Sequence, residues 1–452
     1  MRLVVDQSTS TFPAGTRTLL PRIVSPLCGL TQSLGFILRS GVEPAFFVAG
    51  AELAGVHVLL GQPAAGSYHI GGAGVFLNEA VIRSLGESVE RYAQFVAGIP
   101  GARPIAFASY TDMKSSGQAV LSPTKLRFFG DDQYSSPGFR HHPFDPSLPF
   151  GWVQMTSMLD QMLVWVPAQL VLVGYSPRSH DGEGWLLPAV TTGTAAHTDP
   201  DAARRNALLE LVQVDAVMGH WYSTATAPEI LLDARTRALT RLIDGRFSPA
   251  MSTPRFFWLA SPDLNGFVVA CAIGQPGNGP AIALGLGADL TLSAALYKAL
   301  LEAIGCVQLA KLTLVSRTLA GDPLTSEDGL DPLAIYDLDT NVAYYALPDH
   351  AQYVEAKFRS ADHVAASDLP ADVHLETSAE IDFLVEGFRK SRKELYHLEL
   401  TTDDIRELGF VASRVWSPDT LSLSMPSAPP VDHPRFADYG GVDPHYQPHP
   451  YP

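Results

Sequence analysis

Along most of the chain, apolar positions fall in short alternating runs, interrupted by a few longer stretches with helical spacing. Phe46–Val48, Val56–Leu60 and Gly266–Ala272 read as strands. Helical spacing is strongest from Ala80 to Tyr92, from Ala203 to Trp221 and from Ala295 to Ala303. Phe383–Leu400 reads as a further helix, and Thr401-Thr402-Asp403-Asp404 supplies cap candidates for a short one ending before Gly409. Residues 111–148 and Ser176–Gly184 are rich in turn formers and read as surface excursions. After Pro426 the periodicity stops. Eight prolines fall in the last 27 residues, and proline removes amide donors and fixes φ, so an extended tail is expected. No linker composition divides the rest. The expected fold class is mixed α/β: a lead-in over 1–21, one large domain over 22–425 and a tail over 426–452. About one domain per 150 residues would instead suggest three.

The three strongest helical stretches share a plan. Ala80 precedes Glu87 by seven residues, Ala203 precedes Glu210 by seven, and Ala295 precedes Glu302 by seven. Each follows a turn-rich approach: Gly71-Gly72-Ala73-Gly74, then Thr192-Gly193 with Thr198-Asp199-Pro200, then Gly285-Leu286-Gly287. The copies stand 123 and 92 residues apart, so this is no solenoid but one structural unit used three times.

On the first helix Ser84, Glu87 and Arg91 share a face, with Glu90 at its edge. A solvated face with a Glu87–Arg91 pair explains that stripe as well as a site does. The second helix is different. Asn206, Glu210 and Gln213 form a narrow polar stripe among Leu208, Leu209, Leu211, Val212, Val214 and Ala216. A helix that apolar is buried, so its stripe needs partners inside the protein or on a ligand. On the third, Lys298 and Glu302 read as an i,i+4 pair. If two such carboxylates came within ~6 Å at an effective dielectric near ~20, their repulsion would be roughly 3 kcal/mol. A cation relieves that repulsion. Glu, Asn, Gln and Ser oxygens are the hard donors Mg²⁺ takes, commonly with phosphate, so the pattern suggests Mg-nucleotide.

Other motifs are missing. There is no GxxxxGK[ST], HExxH, CxxC or GxSxG, and His220-Trp221 at the end of the second helix reads as packing. His445 and His449 lie in the proline-rich tail and read as no metal site. The net charge of −16 repels a phosphate backbone, and no basic stripe offsets it, so no nucleic-acid partner is expected. Cys28, Cys271 and Cys306 have no metal spacing, which fits a reducing cytoplasm. Met162–Gly174, the longest apolar run, is too short for a bilayer, and no signal peptide opens the chain, so a soluble protein away from membranes is expected.

These residues resemble the YcaO family. Gly71–Gly74 followed by Ser84-Leu85-Gly86-Glu87-Ser88-Val89-Glu90-Arg91-Tyr92 is similar to its first nucleotide-binding block. Thr192-Gly193 with Asn206 to Asp215 resembles the second, and Ala295–Ala303 the third. Pro448-His449-Pro450-Tyr451-Pro452 resembles the PxPxP terminus of azoline-forming members. The resemblance implies an ATP-dependent cyclodehydratase that converts Cys, Ser or Thr of a ribosomally made precursor peptide to thiazoline or oxazoline. It implies that Ser84, Glu87, Glu90, Arg91, Asn206, Glu210, Gln213 and Glu302 bind ATP, with Glu87, Glu90 and Glu210 on Mg²⁺. Pro448, Pro450 and Pro452 would bring the tail into the active site and order it. It further implies a separate leader-binding partner related to ubiquitin-activating enzymes, and a homodimer. Two departures stand out: Ala73 where the family often has Lys, and Gln213-Val214 in place of Glu-Arg. Thioamide or amidine formation on the same ATP chemistry is the nearest alternative. A non-catalytic scaffold, motivated by Ala73, is the alternative of another class.

Overall fold

The computed structural model describes residues 14–39, 41, 43–55, 69–248, 252–274, 279–325, 334–359 and 362–451. Val56–Leu60 and Pro452 lie outside them. Three sheets organise the chain. Strands β1 (Thr31–Phe36), β2 (Phe47–Leu53) and β3 (His69–Gly74) form an antiparallel meander. An antiparallel six-stranded sheet combines β4 (Ala106–Ser109), β5 (Pro149–Ser157), β6 (Leu163–Pro167) and β7 (Thr194–His197) with two late strands, β13 (Tyr396–Glu399) and β14 (Val411–Trp416). Its order is β4-β5-β13-β14-β7, with β6 paired to β5. The third sheet, β11-β10-β9-β8-β12, uses β8 (Glu229–Leu231), β9 (Arg255–Trp258), β10 (Phe267–Gly274), β11 (Ile282–Asp289) and β12 (His363–Ala365), with only β8–β12 parallel. The expected mixed α/β class is the observed one.

One strand of each sheet feeds one of the three helices. Strand β3 leads into α1 (Leu77–Ala97), β7 into α2 (Pro200–Tyr222) and β11 into α3 (Leu292–Leu319). The glycines before α1 and α3 are therefore strand residues, not turns. A Cβ on Gly72 would stand 2.3 Å from the Ala80 carbonyl oxygen. On Gly285 and Gly287 it would stand 1.9 Å from the Ala303 amide and 2.2 Å from the Ala295 carbonyl oxygen. The glycines let each helix lie directly on its own strand. Only the Thr192-Gly193 approach is a turn, with Gly193 at φ 75°. Asp199 caps α2, its carboxylate accepting from the Ala202 amide at 2.8 Å.

Other expectations change as well. The early strand runs Phe47–Leu53, not Phe46–Val48. The helix predicted over Phe383–Leu400 spans Thr377–Lys390 and gives way to β13, whose His397 and Leu398 are paired to β14. The short helix at Asp403–Glu407 stands where its cap residues put it. The excursion over 111–148 is not simply surface: Leu121, Leu126, Phe128 and Phe129 are buried in the core beneath the six-stranded sheet. The most apolar helix is α3, long and apolar enough by composition to cross a bilayer; 56% of its most apolar stretch is buried in the protein, as in a core helix. All three cysteines are free. The tail is not extended throughout. Residues Pro434–Tyr439 form a 3-10 turn, and Pro448–Tyr451 are buried.

Candidate active site

The three helices bring their carboxylates within one another's electrostatic reach, close to Arg414 on β14. On α1, Arg91 pairs with Glu87 at 3.3 Å, and both side chains keep about a third of their exposure (30% and 32%). Glu90 is deeper and accepts from Gln94 Nε2 at 3.2 Å. Glu210 on α2 accepts the Thr194 amide at 3.2 Å, which ties it to β7. Glu302 on α3 accepts from the Leu286 amide on β11.

Mutual proximity shows in the protonation of these groups. Burial raises Glu90 well above the usual carboxylate range, and the charges of Glu210 and Glu87 raise it further. Burial lifts Glu210 to about 7, with Glu87 adding to the rise while Arg91 and Arg414 oppose it. Glu302 is pushed to about 8, first by burial and then by Glu87 and Glu210. Burial lowers Arg91, but Glu87, Glu90 and Glu210 outweigh it and hold the guanidinium above its ordinary value. Four acids from three helices thus share one field with too little positive charge.

Arg414 was missed by sequence reasoning. It is 1% exposed on β14, donates to the Val190 carbonyl at 2.5 Å and to Thr194 Oγ1 at 3.1 Å, and faces Glu210 and Glu90. Burial pulls it down to about 10, against those two carboxylates. The available signal was a lone arginine in the otherwise apolar and small Val411–Trp416 strand. Such a residue needs an internal acid.

The remaining candidates divide. Ser84 is fully buried, and its Oγ has no hydrogen-bond partner, an orphan aimed from the same helix as Glu87. Asn206 accepts from Arg205 at 3.3 Å, and Arg205 is paired to Asp289 and Glu380. Gln213 is partly buried further along the stripe. Lys298 does not pair with Glu302; it reaches Asp289 at 2.7 Å and the Ala288 carbonyl at 3.0 Å. Asp289, at the end of β11, is the nearer acid. Pro448 and Pro450 lie against other elements: the Pro448 carbonyl accepts from Tyr345, and Trp221 donates to the Gln447 carbonyl at 2.7 Å. Trp221 is eleven residues past Glu210, about 16 Å along α2. His220 Nε2 donates to the Ala260 carbonyl at 3.1 Å and packs on Tyr439, as expected of a packing residue.

Among the described residues no group of three His, Cys, Asp or Glu side chains is arranged as a ready metal cage. The donor chemistry nevertheless fits Mg²⁺. Hard carboxylate oxygens with raised proton affinity are what a small divalent ion with phosphate ligands would satisfy.

A family model described as YcaO cyclodehydratase, ATP- and Mg²⁺-binding, matches residues 71–421. The chain belongs to the YcaO family. No curated protein sequence matches it. Among solved structures, a heterocyclase in complex with substrate and cofactor is 18% identical, with TM-score 0.71, covering 96% of this chain and 57% of that one. A YcaO protein from Methanopyrus kandleri bound with AMPPCP and Mg²⁺ is 17% identical, with TM-score 0.59 and coverage of 89% and 88%. The E. coli microcin synthetase McbBCD complex is 13% identical, with TM-score 0.56 and coverage of 90% and 95%. At these identities the likeness is one of fold. This YcaO chain spans little more than half the length of the first two heterocyclases it resembles.

Proposed function

We propose that this chain is an ATP-dependent cyclodehydratase that converts Cys, Ser or Thr residues of a ribosomally made precursor peptide to azolines. The observation that carries the reading is the convergence of Glu87, Glu90, Glu210 and Glu302 from three helices into one electrostatic field, in which Arg91 and Arg414 are the opposing cations among the described residues. Glu87, Glu90 and Glu210 would hold Mg²⁺; Ser84, Asn206, Gln213 and Glu302 would line the nucleotide. When bound, Mg-ATP supplies the phosphoryl group that makes the former amide oxygen of the substrate a competent leaving group.

The chain's own part is positioning and electrostatics. The Thr194 amide fixes the Glu210 carboxylate, Gln94 fixes Glu90, and the pair with Glu87 fixes the Arg91 guanidinium. Arg414, held by two acceptors and sealed from water, is a fixed positive charge that keeps Glu210 available as an anion. The Pro-rich terminus braces α2 from its far end, and we assign Pro448, Pro450 and Pro452 an ordering role. The 426–452 tail and 22–425 domain limits, a leader-binding partner related to ubiquitin-activating enzymes, a homodimer and a cytoplasmic setting complete the reading.

The test combines the full chain, its partner and a Cys/Ser/Thr-containing precursor peptide with Mg-ATP. Mass spectrometry should show loss of one water per ring, with matching phosphate release. Glu87→Ala and Glu210→Ala should abolish both. Ring formation that survives in these variants would overturn the site; phosphate release with sulfur gained by the peptide would favour thioamide formation instead.

A further inference from the structure

The C-terminal segment also contacts α2 one to two turns before the point where the PxPxP region meets Trp221 and Tyr222. Asp215 and Arg435, 220 residues apart, form an ion pair in which both side chains are 0% exposed. The pair is bidentate: Arg435 Nε donates to Asp215 Oδ1 at 3.0 Å and Nη2 to Oδ2 at 2.6 Å. The same carboxylate accepts from the Leu421 amide at 2.9 Å and from Tyr439 Oη at 3.0 Å. Arg435 is also bonded to Asp438 at 2.7 Å and paired with Asp263 at 2.9 Å, and Lys393 bridges both of those acids.

One helical turn later the contact becomes one of shape. A Cβ on Gly219 would stand 2.4 Å from Tyr439 Cε2, so the ring lies directly on helix backbone. A glycine inside a helix costs about 1 kcal/mol relative to alanine, and the seat for Tyr439 accounts for it here. Asp215 lies five residues after Glu210, about 140° around the helix. The segment therefore grips the face of α2 opposite the carboxylate stripe. A buried pair of this kind adds little net stability over an apolar substitute, but it defines one register and one azimuth.

We propose that Asp215 and Arg435 are positioning residues for the nucleotide site: they latch the 434–439 turn onto the back of α2 and so hold Glu210 and Gln213 against Glu87 and Glu90. The function assigned to this latch rests on the Mg-ATP reading above. It touches no reacting group. Its effect is on the geometry of a helix whose opposite face carries the ligands.

The test uses the full chain and Arg435→Lys, which keeps the charge but loses the bidentate fork. A control lesion is Glu183→Gln, a buried carboxylate (3% exposed) that accepts from Gly151, Gln169, Tyr175 and Arg178 and bonds nothing on α2. Calorimetry with Mg²⁺ and AMPPCP should give an affinity about tenfold weaker for Arg435→Lys and unchanged for Glu183→Gln. Without nucleotide, hydrogen exchange should quicken in residues 206–214 for Arg435→Lys alone. Arg435→Gln combined with Asp215→Asn, which removes both charges, should retain the fold by circular dichroism and show the same exchange defect. Equal effects of both lesions on exchange and affinity, or unaltered exchange in 206–214, would overturn the latch. Wild-type protein that binds no Mg-AMPPCP would instead overturn the nucleotide reading, leaving the exchange measurement to judge the latch.

Discussion

Replacing Glu302 by Gln should make the ligand-free protein more stable at high pH. Glu302 lies partly buried between α3 and β11 and is raised from 4.5 to about 8. A group whose proton affinity rises on folding contributes stability fully below its unfolded value and loses it as the pH climbs through the folded one. The window therefore runs from about 4.5 to about 8. At ~1.4 kcal/mol per tenfold in affinity, the ceiling on the loss is ~5 kcal/mol. Glu302 is only partly buried, and solvent screening roughly halves this to ~2–3 kcal/mol. Gln cannot ionise, and its carbonyl can still accept from the Leu286 amide, so the variant keeps what the wild type loses. Denaturant melts of both proteins should coincide near about pH 4 and diverge to about 2–3 kcal/mol in favour of Glu302→Gln near about pH 9. Added Mg²⁺ should narrow the gap, because the ionised wild type gains a counter-ion. Melts that track each other across this range would mean that Glu302 ionises as in free solution, and the convergence of the acids would be wrong.

Four further outcomes follow from the same geometry. Gly285→Ala should cost roughly 3 kcal/mol or more in denaturant melts, because its Cβ would meet the backbone of Ala299 and Ala303. Gly305→Ala, on α3 with nothing within 4 Å, should gain up to about 1 kcal/mol. Arg414→Met should raise the proton affinity of Glu210 further, so that Mg-AMPPCP binding by calorimetry needs a higher pH; an unchanged pH profile would show that Arg414 serves packing alone. Deleting Pro448–Pro452 strips acceptors from the buried Asn341 and Tyr345, at about 1–3 kcal/mol for each donor left unpaired, and should abolish azoline formation. Full ring formation by that truncation would confine the terminus to a structural part.

How far the site was legible depended on whether its information was local. The three carboxylate helices were, because an apolar helix with a polar stripe at 206, 210 and 213 cannot be satisfied by its own neighbours. The glycines before them were legible as necessary but not as to why. A glycine serves either a positive φ or a missing Cβ, and the two uses look alike in sequence; at Gly72, Gly285 and Gly287 the reason is a helix lying across the strand. Lys298 was read with the acid on its own helix because i,i+4 is the only distance a helix reveals, whereas Asp289 reaches it from the strand before. Arg414 and Arg435 were out of reach for the same cause carried further. Their acids lie 204 and 220 residues earlier, at Glu210 and Asp215. Both acids are on α2, and both arginines arrive after residue 410, one by strand pairing and one by the returning tail. Arg435 reaches Asp215 only when the 434–439 turn docks, so a chain truncated after residue 425, which keeps Arg414 on β14, should retain Glu87 and Glu90 on a formed α1 while hydrogen exchange quickens around Glu210.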